Sequence, residues 1–200
     1  PWLSPDLVAE LRARIGGGSL HAAAYTQRPS GPPREAAEVS TGYAPEAEFA
    51  LELAGLAELP LIGFGRMRYL AALKGVEAET LLKPSPVQAL AAIGAALLDA
   101  ELPALEAAYA FFRSAGDGSA ASLPEWASQP LEVHVFEDSA GGVEAVQQAG
   151  EMLLAAGADV RVLAWGIAEN EAKRRALRGT GARIYARTGE AVRAALEWTG

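Results

Sequence analysis

The chain has 200 residues, half of them hydrophobic and 21% charged, with a formal net charge of −8 and no cysteine. That length suits one globular domain with a sizeable core, and the composition excludes wholesale disorder. Without cysteine there are no disulfides, zinc–thiolate sites or thiol nucleophiles. The acidic balance argues against a nucleic-acid surface or an anionic membrane, although local cations and helix starts still suffice for a small anion.

No apolar run reaches the roughly 18 residues of a membrane span. The start, Pro1-Trp2-Leu3-Ser4, is neither an initiating methionine nor a signal peptide, so processing or an upstream segment is expected. The lack of an export signal points to the cytoplasm. Ser4-Pro5-Asp6 then reads as an N-cap, a proline in the first helical position and an acid in the first turn. The helix extends over 5–15 with Leu7, Val8, Leu11 and Ile15 on one face, and Gly16-Gly17-Gly18 ends it. Residues 20–25 form a short apolar run bounded by breakers, the pattern of a buried parallel strand ending at Thr26. A helix is expected over 45–59, a second strand over 60–64, and helices over 66–74, 86–100 and 101–113. The Gly/Ser/Ala-rich stretch 114–130, carrying Trp126 between two prolines, reads as a surface loop. Three strands follow, over 132–136, 160–165 and 183–186, alternating with helices over 142–156, 169–178 and 190–198. Such alternation means right-handed βαβ units: a Rossmann-like, three-layer α/β domain spanning 1–200, its parallel sheet covered by helices on both faces.

Ligands of an open parallel sheet bind outside the carboxyl ends of its strands, so the residues just after each strand matter most. Glu137 and Asp138 follow the clearest strand and precede Gly142. Paired acids there suit Mg²⁺, and equally suit a helix start whose dipole favours acids. Thr26 ends the first strand, where its hydroxyl either closes a turn or bonds a phosphate oxygen. Lys83, ahead of Pro84-Ser85-Pro86 and a helix, is either a solvated surface lysine or a point charge for phosphate. His21 and His134 read as packed or edge histidines. Lys173-Arg174-Arg175 reads as a solvated helix face.

Together these segments resemble the haloacid dehalogenase-like (HAD) hydrolases. Phe136-Glu137-Asp138-Ser139-Ala140-Gly141-Gly142-Val143-Glu144-Ala145, closing at Ala149-Gly150, is similar to the fourth motif of that family. Leu82-Lys83-Pro84-Ser85-Pro86 resembles the third, and Ala22-Ala23-Ala24-Tyr25-Thr26-Gln27-Arg28-Pro29 the second. They occur in family order. The resemblance implies a Mg²⁺-dependent phosphatase acting on a small phosphorylated metabolite. Thr26, Gln27 and Lys83 would hold the phosphate, with Thr26 and Lys83 in the catalytic set, while Asp138 and Glu137 would anchor the metal.

The first motif of that family, a strand ending in Asp-x-Asp, is missing: the aspartates are Asp6, Asp99, Asp117, Asp138 and Asp159, none two apart. In the family that strand lies between those ending at Thr26 and Phe136, so these two must pair directly or something else must fill the gap. Two expectations follow: a phosphatase whose nucleophile strand lies outside these residues, or a non-catalytic HAD-like module that binds a phosphorylated ligand or a protein partner. A phosphorylation-receiver domain is excluded by order, since its acidic pair comes early and its lysine late. Residues 100–130 read as a helix-plus-loop insertion beside the site. Self-association is left open.

Overall fold

The computed structural model describes residues 3–36, 42–116 and 122–198. Among these the fold is α/β, with eight α-helices and two small parallel sheets. The first half contains α1 (Pro5–Gly16), β1 (Ala24–Tyr25), α2 (Glu46–Ala54), β2 (Leu61–Ile62) and α3 (Phe64–Lys74). A 3₁₀ turn (Ala78–Leu81) leads into α4 (Pro86–Leu98), α5 (Glu101–Gly116) and a second 3₁₀ turn (Glu125–Ala127). The C-terminal half is β3 (Leu131–Glu137), α6 (Ala140–Ala155), β4 (Val160–Ile167), α7 (Glu171–Gly179), β5 (Arg183–Tyr185) and α8 (Thr188–Leu196). No helix among the described residues is long and apolar enough to cross a membrane.

Local chemistry sets most helix limits. Ser85 and Asn170 accept the Val87 and Lys173 amides at the starts of α4 and α7, satisfying donors that a helix start leaves free. Gly55 ends α2 in the left-handed region at φ 73°, five residues before the end expected from composition. Arg66 lies inside α3 because Gly63 already caps that helix. The run before Thr26 is strand only over Ala24 and Tyr25, since a strand exists only where a neighbour completes its ladder.

The expected single sheet is instead two. β1 pairs in parallel with β2, and β3, β4 and β5 form a second parallel sheet in that order. β1 and β3, the strands flanking the missing motif in the resemblance, do not pair: β1 is bonded to β2 and β3 to β4. Helix α4 packs against β1, β2, α5 and α6. Its Val87, Gln88, Ala89, Leu90, Ala91, Ile93, Gly94 and Ala95 are all buried, the mark of a helix apolar on every side. Its core joins Ile62 on one sheet to Val135 on the other. The second sheet is covered on both faces. Gly150 of α6 lies against Val162, while Trp165 on the opposite face stacks on His134 and Phe136 and meets Trp198 beyond α8.

The region expected to be a surface loop differs from that reading. α5 runs on to Gly116, and Trp126 packs over Gly94 so closely that an added Cβ there would lie 3.0 Å from the indole nitrogen. Asp117, like the rest of 117–121, lies outside the described residues.

Residues 27–36, which follow β1, are fastened by buried charges. Arg66 donates to Glu101 (Nε–Oε2 3.0 Å), to the Gly31 carbonyl (3.1 Å) and to Glu48. Glu101 also accepts the amides of Leu61 and Arg34, both at 2.9 Å. Ser30 Oγ accepts the Gly65 amide at 2.9 Å. A Cβ on Gly65 would come within 2.0 Å of the Ser30 carbonyl, so no larger residue fits. This fastening fixes where the chain leaves β1, and therefore where Thr26 and Gln27 stand.

Candidate functional site

The carboxyl end of β3 delivers Glu137. Its side chain turns back into the protein, where only 7% stays exposed. Oε2 accepts the amides of Asp138 (3.0 Å) and Ser139 (3.3 Å) and the Ser139 hydroxyl (3.0 Å). Oε1 takes the Lys83 ammonium. Ser139 is at the same time the N-cap of α6, accepting the Gly142 amide at 3.2 Å. Glycine at 142 has a direct reason: an added Cβ would sit 2.2 Å from the Glu137 carboxyl carbon. The carboxylate occupies the space a side chain would need.

From the other sheet, Tyr25 at the end of β1 reaches the same place. Its hydroxyl donates to the Gly142 carbonyl at 2.8 Å, and the Lys83 ammonium lies 3.8 Å from its ring centroid, a cation–π contact. Burial first, and then the negative charge of the nearby Glu137 carboxylate, push the phenol above its ordinary range, so it stays protonated. Lys83 therefore bridges the two sheets. Its carbonyl also accepts from Gln27 Nε2 at 3.3 Å.

Lys83 and Glu137, 54 positions apart in sequence, thus meet beside Tyr25, and Gln27 bonds the Lys83 backbone. Thr26 lies next to Tyr25 at the end of β1 and contacts neither Lys83 nor Glu137 in the hydrogen bonds formed. Thr26 is half-buried. Its Oγ1 accepts the Arg28 amide at 3.2 Å, closing a turn and leaving its proton for an acceptor. Gln88, fully buried, donates through Nε2 to the Thr26 and Ile62 carbonyls, both at 2.9 Å. It ties the ends of β1 and β2 together, and its Oε1 has no hydrogen-bond partner.

Asp138 does not join this group. It is 62% exposed and pairs with Lys173 at 2.6 Å, on the rim of a cleft of about 240 Å³ at the carboxyl ends of the second sheet. Asn170, Arg187 and Thr188 line that cleft too, and Thr26, Gln27 and Lys83 do not. Its lining holds two cations, Lys173 and Arg187, and two acids, Asp138 and Glu169, which balance in formal charge.

The paired acids do not fit Mg²⁺ as they stand. The oxygens of Glu137 are committed to four protein donors, and Asp138 turns away to Lys173. Mg²⁺ demands near-octahedral oxygen ligation, and among the described residues no three acidic or histidine side chains gather to begin it. What the arrangement offers instead is a mostly buried ammonium held between the Glu137 carboxylate and the Tyr25 ring, next to the ends of β1 and β3.

His134 is not part of the site: its Nδ1 accepts from Trp165 Nε1 at 3.1 Å and its Nε2 meets Glu132 at 2.8 Å. Sequence reasoning singled out Thr26, Gln27, Lys83, Glu137 and Asp138, and passed over Tyr25 and Gln88. Tyr25 carried a signal, as the one polar-tipped side chain in an alanine run beside Thr26. Gln88, an amide among the apolar residues of α4, carried another.

No protein-family model, curated protein or solved structure matches the chain.

Proposed function

We propose that the chain is a HAD-like α/β module that binds a small phosphorylated ligand at the carboxyl ends of β1 and β3 and does not itself turn it over. The observation that carries this reading is Lys83, drawn out of bulk water against Tyr25 and Glu137, with Gln27 bonded to its carbonyl. A partly desolvated ammonium is a stronger partner for a phosphate dianion than a surface lysine. The order of Thr26, Lys83 and Glu137 along the chain, and the contact between Lys83 and Glu137, support the family resemblance. Among the described residues at this site neither acid is free to act as a nucleophile: Glu137 is held by donors on both oxygens, and Asp138 faces Lys173.

Phosphate or sulfate should raise the melting temperature of the parent protein, because an anion bound to the folded state alone stabilises it. Lys83→Ala should abolish that increment, whatever its own melting point. A generic phosphate monoester should not be hydrolysed, with or without Mg²⁺. An equal phosphate response in parent and Lys83→Ala would contradict the reading.

One observation favours the phosphatase alternative. β1 and β3 have partners in β2 and β4 but none in each other, and side chains span the interval between them. A strand ending in Asp-x-Asp, paired there, would supply the nucleophile. In that case Mg²⁺-dependent hydrolysis appears and Asp138→Asn abolishes it.

A further inference from the structure

The Lys83 ammonium already has an anion. Glu137 meets it through Oε1, while Oε2 stays fixed by the Asp138 and Ser139 amides and the Ser139 hydroxyl at 3.0–3.3 Å. These three donors hold the carboxylate in place whether or not Lys83 is present. Gly142 leaves room for it, and Tyr25 covers the ammonium from the other side at 3.8 Å. Both charges are largely removed from water, the lysine 12% and the glutamate 7% exposed.

We propose that Glu137 is a built-in occupant of the anion site, holding Lys83 when no ligand is bound and releasing it to the phosphate of an incoming ligand. The proposal rests on the anion-binding reading above and reverses the role that the family resemblance implies for this residue, from metal ligand to competitor. An ammonium is a compact charge on a flexible stem, able to swing between two neighbouring acceptors. Glu137 gives up one of its four donors when Lys83 leaves, and the other three still satisfy the opposite oxygen. Ligand binding and the Lys83–Glu137 contact therefore exclude each other, and the apparent affinity is the intrinsic one multiplied by the fraction of molecules in which Lys83 is free.

Glu137→Gln separates the roles by sign. An amide turned to keep its oxygen toward the three donors presents its nitrogen to the ammonium, which then has no acceptor there. Calorimetric titration with inorganic phosphate should give a weak parent isotherm and binding on the order of tenfold tighter in Glu137→Gln, within the usual range of coupling between sites. Should the variant fail to fold, Glu137→Asp, whose shorter stem withdraws the carboxylate, is titrated in its place with the same expectation. A parent that binds phosphate alongside a variant that binds no tighter would overturn the competitor role and leave the anion site standing. If neither parent nor variant binds, the anion-site reading falls and this inference falls with it.

Discussion

At the scale of single residues, the site rests on one close approach. In an open helix, replacing glycine with alanine stabilises by up to about 1 kcal/mol. Gly141 is such a position: it lies in the first turn of α6, and nothing stands within 4 Å of an added Cβ. Gly142, one residue on, would drive its Cβ into the Glu137 carboxylate. Gly141→Ala should therefore raise the midpoint of urea unfolding slightly, whereas Gly142→Ala should lower stability by about 1–3 kcal/mol, the usual cost of overpacking. Equal effects from the two would mean that Glu137 does not lie against the start of α6. The sequence marked Glu137 and Lys83 as candidates, each at the end of an element. It could not mark their pairing, because that contact is made by the packing of α4 between the sheets and not by any local pattern. Asp138, adjacent to Glu137, instead turns away to Lys173, because successive side chains at the end of a strand point opposite ways.

At the scale of elements, helices were legible and strands only partly so. Ser4-Pro5 and Ser85-Pro86 announce the starts of α1 and α4, because in both the residues that set the start lie within one turn of it. Strand length depends on a neighbour remote in sequence, so β1 and β2 shrank to two residues each. The start of α5 shows a cap that no local pattern reveals. Glu35, 67 residues before Leu102, accepts the amides of Glu101 and Leu102, both at 3.0 Å. Burial alone raises the Glu35 pKa. Hydrogen bonds from the Leu102, Glu101 and Glu35 amides, with the Arg34 charge, outweigh it and hold the carboxyl below its ordinary value. A folded-state pKa below the unfolded one means that the unfolded chain takes up the proton first as pH falls. The contribution is therefore complete above the unfolded pKa and is lost as pH drops through the folded one. Glu35→Gln should cost about 1 kcal/mol at neutral pH, the scale of a helix cap. The deficit should shrink on acidification through the carboxylate range, as followed by thermal melts at several pH values. A deficit independent of pH would refute the ionised cap.

At the scale of the whole molecule, the parallel α/β class followed from the alternation of strands and helices, and the division into two sheets did not. Periodicity reports which residues are apolar along one segment; it carries no information about which strands adjoin. The two sheets are held by α4 and by the Tyr25–Lys83–Glu137 contact, so the site lies on the junction itself. In this acidic protein of net charge −8, Lys83 is mostly buried at that junction. Lys74, Lys83 and Lys173 are the only lysines in the chain, so selective isotopic labelling makes each visible in a spectrum of three signals. The most direct measurement is a titration of lysine-labelled protein with inorganic phosphate, following the three side-chain signals by NMR. The account predicts a saturating shift at Lys83, with Lys74 and the Asp138-paired Lys173 moving little. A saturating shift at Lys173 with Lys83 unmoved, or no shift at any lysine, would contradict it.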